Sequence, residues 1–395
     1  MMLLVNLVVM LVMFYVLAHV CSAYFIQSLD AIAKKWKMSS EAAGATLMAI
    51  GSSTPELFIT ILALIRVGNH GAIGVGTIVG SALYNILVII GAAVVVKGAK
   101  VMWQPIVRDL FFYTLTIVLL IFSFLDGKIE VIEAVSFIAL YGVYVLAVVN
   151  WKKWLGYSES PIEIVSDEIK VLERKRFWRL ITKPIKILLS LIFPSPKHYW
   201  GMFLCSLGVI SLVSWVLIEN TIAIASSLGV SEVVISLTIL AIGTSIPDTV
   251  SGVIVAKQGR LDMAISNAIG SNVFNILFAL GVPWLIIFAQ GAESISIQSV
   301  SLLSSMVLLF ASLFLILFLL IAQKWHLSKR SGVLLIGLYI VYLLWVLVSG
   351  FAQVINTRPN QSYFLALVWL SVCGGVLLNL RAFKLFALQV FFEIC

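Results

Sequence analysis

The sequence predicts an all-α polytopic membrane protein built from two inverted repeats, on three observations. The 395 residues are 62% hydrophobic and only 11% charged, with a mean hydropathy of +1.11, more apolar content than a soluble domain needs. The apolar residues gather into eleven runs of roughly 18 or more, near 2–27, 43–66, 72–96, 108–125, 130–150, 199–219, 231–256, 262–289, 297–322, 331–350 and 362–380. One polar motif occurs twice, as Gly51-Ser52-Ser53-Thr54-Pro55-Glu56 in the second run and Gly243-Thr244-Ser245-Ile246-Pro247-Asp248 in the seventh.

In chain order, the run from Met1 to Ala23 lacks a basic leading segment and is longer than the apolar core of a signal peptide. It reads as a first transmembrane span. The second run holds three hydroxyls, a proline and a carboxylate at its centre. A carboxylate at bilayer depth costs about 2.5 to 3.5 kcal/mol on insertion scales and marks a functional site. Proline removes a backbone donor and frees a carbonyl about one turn earlier. Such backbone is tolerated only where it faces protein or a water-filled cavity. Hydroxyl, carbonyl and carboxylate oxygens are the ligand set of a hard cation such as Ca²⁺ or Na⁺.

The third run carries Gly80-Ser81-Ala82-Leu83-Tyr84-Asn85-Ile86-Leu87, and the eighth carries its counterpart, Gly270-Ser271-Asn272-Val273-Phe274-Asn275-Ile276-Leu277. Two helix pairs, each with a proline-interrupted first member, point to a transport site between repeats. The fourth and fifth runs place Asp109 and Glu133 near their ends. The hydrophilic stretch 151–198 mixes acidic residues such as Glu159, Glu163 and Glu168 with a basic cluster, Arg174, Lys175, Arg176, Arg179, Lys183 and Lys186. Apolar residues recurring from Ile162 to Phe177 predict a short amphipathic helix on the inner leaflet, followed by a basic anchor. The run at 362–380 has no functional reading.

The expected organisation is therefore an N-terminal transmembrane half at 1–150 with its repeat at about 43–96, a basic cytoplasmic connector at 151–198, and a C-terminal half at 199–350 with its repeat at about 231–289. An extra helix and tail at 351–395 complete it. Loops after odd-numbered runs, with the C-terminal tail, hold 23 of the 26 Lys and Arg residues. This bias sets the N-terminus outside, and the connector and C-terminus in the cytoplasm. The second and seventh runs then cross in opposite directions, and Glu56 and Asp248 meet near the midplane.

Glu56 and Asp248 are the two carboxylates deep in the runs, with no Lys or Arg at that depth to neutralise them. Asn85 and Asn275 occupy equivalent positions and offer neutral carbonyl oxygens. Ser52, Ser53, Thr244, Ser245, Ser81 and Ser271 offer hydroxyls, although small polar residues in membrane helices also serve as packing and interhelical glue. Trp103, Trp151, Trp154, Trp200 and Trp284 lie near run ends and read as interfacial belt residues. Cys21, Cys205, Cys373 and Cys395 form no CxxC pair and read as core residues. The net charge of +8 comes from one-sided loops and is no nucleic-acid signal. No Ser/His pair, HExxH or paired-Asp protease signature appears in the runs, so an enzyme is not expected.

The segments 43–58 and 74–87, with Gly243–Asp248 and 264–277, resemble the two α-repeats of the cation/calcium exchanger superfamily, and most closely its potassium-dependent sodium/calcium exchanger family. The resemblance implies a core of ten helices in two inverted five-helix halves, with Na⁺ and Ca²⁺ competing for one set of oxygens by alternating access. It implies Glu56 and Asp248 as central Ca²⁺ ligands, the six hydroxyls above as Na⁺ or Ca²⁺ ligands, and the backbone carbonyls of Ala49 and Ala241 as further ligands. Potassium-dependent members carry Asp where this chain has Asn275, so the expectation is Na⁺/Ca²⁺ antiport without K⁺ co-transport and without a cofactor. K⁺-dependent exchange, Ca²⁺/H⁺ exchange and, from another class, a Ca²⁺ channel stay open. The expected partners are the two ions and the lipid bilayer, with the oligomeric state open. The plasma membrane is the default location, with organellar membranes also open.

Overall fold

The chain is described here from a computed structural model, which covers residues 2–35, 49–66, 70–155, 176–194, 198–257, 259, 261–296 and 300–357. The expected helix at 362–380, the start of the second span at 43–48 and most of the connector lie outside these residues. Helix α1 runs Met2–Val20, passes a π turn at Cys21–Phe25 and continues as Ile26–Lys35. Helix α2 is Ala49–Ile65. Helix α3 is Gly71–Tyr84, followed by a π turn at Asn85–Ile89 and by Ile90–Val96. Helices α4 (Trp103–Ser123) and α5 (Val131–Leu155) complete the first half. After α6 (Arg176–Ile192), the second half comprises α7 (Tyr199–Leu228), α8 (Glu232–Thr244, with a π turn at Ser236–Leu240), α9 (Ile246–Lys257), α10 (Leu261–Ala289), α11 (Val300–Ala322) and α12 (Lys329–Thr357). Among the described residues eight helices are long and apolar enough to cross a membrane, and two shorter apolar helices, Ser53–Ile65 and Glu232–Thr244, hold most of the first copy of the doubled motif and the start of the second. The chain is a multi-pass integral membrane protein.

The packing repeats five spans on. Helix α2 packs on α3 and on α10, and correspondingly α9 packs on α10 while α8 packs on α3. Helix α3 also meets α11 and α12, as α10 meets α4 and α5. The close approach of α3 to α8 depends on glycine. A Cβ on Gly80 would stand 2.5 Å from Leu237 O, and one on Gly76 would overlap the Ser236 hydroxyl.

Contacts between loops test the expected sidedness. On one face, Lys35 Nζ donates to Tyr199 OH at 2.6 Å, Trp151 Nε1 donates to Gln104 O at 3.1 Å, and Lys100 bridges His326. On the other, Arg66 pairs with Glu219, His70 lies 2.8 Å from Glu232, and strand β1 (Lys128–Ile129) pairs with β2 (Ile295–Ser296). Each contact joins ends that the charge bias assigns to the same side. Helix α2 ends at the face where α8 begins, so the two motif-bearing helices run in opposite directions.

Three expectations are corrected. Helix α4 begins at Trp103, not near 108, because Pro105 is tolerated in a first helical turn. Arg108 and Asp109 therefore lie inside a span, 7% and 1% exposed. Arg108 Nε donates to Asp109 Oδ1 at 2.8 Å, and the Tyr144 hydroxyl reaches the same oxygen at 3.4 Å. Glu56 and Asp248 are thus not the sole buried carboxylates, and a basic residue does lie within a span. Trp284 is not a belt residue: it is fully buried against Phe124 and Phe137. The expected amphipathic helix at about 162–177 lies almost wholly outside the described residues; α6, which follows it, carries Lys183 and Lys186. Helix α6 lies against α1 through stacked Tyr24 and Phe193 rings 3.8 Å apart, and exposes Ile187, Leu188, Leu191 and Ile192. Finally, α2 continues through Pro55, whereas α8 ends at Thr244 and Ser245 breaks the path before α9. One lost hydrogen bond permits a bend without dictating where the chain takes it.

Candidate ion-binding site

The doubled motif converges where α2, α3, α8, α9 and α10 meet. Glu56 comes from the second turn of α2, and Asp248 from the first turn of α9. They are 0% and 2% exposed. The Glu56 carboxylate acts electrostatically on Asp248 and faces the Thr244 and Ser81 hydroxyls, close to them but outside hydrogen-bond geometry, so that neither Glu56 oxygen has a partner. Ser81 Oγ and Ser245 Oγ are hydrogen-bonded at 2.8 Å, which ties α3 to the break after α8. The hydroxyl oxygens of Ser53 and Ser271 are buried without hydrogen-bond partners, as are both amide atoms of Asn275 and Oδ1 of Asn85. Such groups cost free energy when left unmet, and four of these five atoms are oxygens. None of these side chains is more than 2% exposed.

Other expected residues are placed with less detail. Ala49 and Ser52 lie on the helical backbone of α2. The carbonyl of Ala241 accepts from the Thr244 hydroxyl and from the Ser245 amide, both at 3.3 Å. Those long bonds occupy an oxygen that the resemblance nominates as a ligand.

Several neighbours were not singled out from the sequence. Asn272 on α10 bonds Asn85, Ala82 O and the Tyr113 hydroxyl. The Thr249 hydroxyl lies 3.1 Å from Tyr84 OH and 3.0 Å from Ser245 O. Cys21, in the π turn of α1, is fully buried and within electrostatic reach of both carboxylates. The Phe14 ring occupies the place a Cβ on Gly243 would take. Asn272 had a signal: the matching position in the first copy is Ala82, so an extra amide appears in one copy only. Among the described residues no group of three or more His, Cys, Asp or Glu side chains forms a metal cluster. A cation here would rest on two carboxylates and neutral oxygens, the preference of hard ions.

Comparison with known proteins gives the family of the chain. The family described as sodium/calcium exchanger protein matches residues 6–150 and 198–348. Human sodium/potassium/calcium exchanger 4 is 26% identical, over 86% of this chain and 80% of its own length. Human sodium/potassium/calcium exchanger 5 is 28% identical over 83% and 80%. Among solved structures, the H⁺/Ca²⁺ exchanger CAX superposes with a TM-score of 0.65 at 16% identity, over 98% of this chain and 91% of that one. The sodium-calcium exchanger NCX_Mj superposes with a TM-score of 0.53 at 22% identity, over 87% and 99%. These likenesses carry the fold. The family match takes in both membrane halves and both copies of the motif, and the chain belongs to the sodium/calcium exchanger protein family.

Proposed function

We propose that this chain is an antiporter that moves Ca²⁺ against Na⁺ by alternating access through the Glu56–Asp248 site. The carrying observation is Glu56, fully buried with both oxygens unpartnered, facing Asp248 from the opposite half beside the Thr244 and Ser81 hydroxyls. Two carboxylates neutralise one Ca²⁺ or share several Na⁺. Emptied, the site would hold uncompensated charge at low dielectric, which opposes the switch between states. An ion that favours the switching conformation shifts that equilibrium, and exchange follows.

In this reading Ser52, Ser53, Thr244, Ser245, Ser81, Ser271, Asn85 and Asn275 supply neutral oxygens, with the backbone carbonyls of Ala49 and Ala241. The neutral Asn275 argues against K⁺ as a third ion. The N-terminus lies outside, and the connector and C-terminal tail face the cytoplasm. The two membrane halves act as the mechanical units.

K⁺-dependent exchange is the second reading, favoured by the names of the sodium/potassium/calcium exchangers that the chain resembles. Ca²⁺ uptake into Na⁺-loaded proteoliposomes, with and without external K⁺, separates the two. Uptake driven by the Na⁺ gradient and indifferent to K⁺ is expected, with K⁺ dependence appearing in Asn275→Asp. A K⁺ requirement in the wild type rejects the role given to Asn275. Uptake driven only by a pH gradient makes the chain a Ca²⁺/H⁺ exchanger.

A further inference from the structure

Asn272 stands outside the symmetry of the repeat, since its counterpart is Ala82. Its Nδ2 lies 3.0 Å from Ala82 O and 3.1 Å from Tyr113 OH, and its Oδ1 lies 2.8 Å from Asn85 Nδ2. All four residues are buried. A backbone carbonyl can only accept, so the Asn272 atom facing Ala82 O must be the NH₂ group. Its Oδ1 therefore faces Asn85, and an acceptor there requires the NH₂ of Asn85. The carbonyl oxygen of Asn85 is turned the other way, where it is buried with no hydrogen-bond partner. Asn85 lies one turn beyond Ser81, the hydroxyl that faces Glu56 and bonds Ser245. Asn275 has no such constraint, because both its amide atoms lack partners.

We propose that Asn272 is a positioning residue, held by Ala82 O and the Tyr113 hydroxyl, that locks the Asn85 amide with its oxygen toward the ion. Asn85 is then a pre-set neutral ligand, while Asn275 is free to turn. This rests on the Ca²⁺ reading above. The ordinary alternative is that Asn272 is interhelical glue between α3 and α10, and a double-mutant cycle separates the two. An outer partner that orients a ligand is worth about 10- to 100-fold in metal affinity, so Asn272→Ala should raise the KM for Ca²⁺ by that factor. In an Asn85→Ala background no amide is left to orient, while the Asn272 bonds to Ala82 O and Tyr113 OH stay in place. There the same substitution should change KM by less than about twofold. Glue would give the same loss in both backgrounds.

The measurement is Na⁺-driven Ca²⁺ uptake by the full chain in proteoliposomes, with Ca²⁺-dependent thermal stabilisation of the purified protein as a second readout. Tyr113→Phe removes one of the two anchors and adds no charge. It should raise KM about 2- to 10-fold, the worth of one hydrogen bond, and it carries the test if either asparagine variant fails to fold or bind. Equal losses in both backgrounds, or a wild-type KM in Tyr113→Phe, overturn the proposal. A wild type that binds Ca²⁺ without exchanging it sinks the antiport reading and leaves the cycle to be read from binding. A wild type that Ca²⁺ does not stabilise overturns both.

Discussion

Gly80→Ala would pry apart α3 and α8, two of the helices that meet at the candidate ion site. The added Cβ would stand 2.5 Å from Leu237 O and 2.8 Å from Ala241 Cβ. Leu237 lies within the π turn of α8, so its carbonyl is backbone that cannot turn aside, and the Ala241 Cβ is fixed to the same helix. Carbon–oxygen contacts settle near 3.3 Å, which requires an opening of about 0.8 Å. The Ser81–Ser245 hydrogen bond, 2.8 Å long and one residue away, would stretch beyond hydrogen-bond range. Overpacking costs about 1 to 3 kcal/mol and the lost bond about 1 kcal/mol, or about 2 to 4 kcal/mol for this conformation. A misplacement near 1 Å in a site of this kind costs about 100-fold in rate. The assay pairs Na⁺-driven Ca²⁺ uptake with the thermal melting of the detergent-purified variant. Gly270→Ala is the control for stability, since its Cβ would meet only the Tyr144 hydroxyl at 3.2 Å. Gly80→Ala with wild-type melting and wild-type uptake would refute the argument that glycine is needed there for close approach.

Three further outcomes follow from the same geometry. Glu56→Gln or Asp248→Asn should abolish Ca²⁺ transport while the protein still elutes as a folded species on size exclusion; wild-type flux in either rejects the site. Asp109→Asn removes the charge that Arg108 Nε contacts within a span and should cost about 3 to 5 kcal/mol in a melting experiment, the penalty for breaking a buried pair. A change below about 1 kcal/mol would mean that water reaches the pair. Gly243→Ala should collide with the Phe14 ring, and Phe14→Leu should restore part of the lost stability and flux; a double variant no better than the single denies that contact.

The fold was legible because hydrocarbon leaves a chain few choices. Ten apolar runs account for eleven of the twelve numbered helices, and the one-sided Lys and Arg residues gave a sidedness that the contacts Lys35–Tyr199, Arg66–Glu219 and His70–Glu232 respect. The two carboxylates were legible because charge at that depth is too costly to keep without a use. The start of α4 was not, because Trp-Gln-Pro reads as loop until Pro105 is seen to fit a first turn. The burial of Trp284 was not legible either, because distance from a run's end does not report what packs around a ring. Asn272 was passed over because equivalence between the two copies marks the residues that match, and the signal at Asn272 is a mismatch, an amide set against Ala82.

What the repeat could not convey is how its halves differ in one conformation. Ser245 Oγ bonds Ser81 Oγ, whereas their counterparts Ser53 and Ser271 leave both hydroxyl oxygens buried and unpartnered. Helix α8 breaks at Ser245 while α2 runs on through Ser53, and α3 has a π turn at Asn85 where α10 stays regular at Asn275. Inverted halves that exchange conformations would produce such differences in any single state. The opposite state is therefore expected to break α2 near Ser53, straighten the path through Pro247, and trade the Ser81–Ser245 bond for Ser53–Ser271. Ser245→Ala should disfavour the present conformation and Ser53→Ala its opposite, each by about 1 kcal/mol, or roughly fivefold in the equilibrium. The Ca²⁺ KM measured from the two faces of oriented vesicles should then shift in opposite senses for the two variants. Shifts in the same sense would mean that the serines serve only as ligands and that the asymmetry belongs to the fold rather than to the transport cycle.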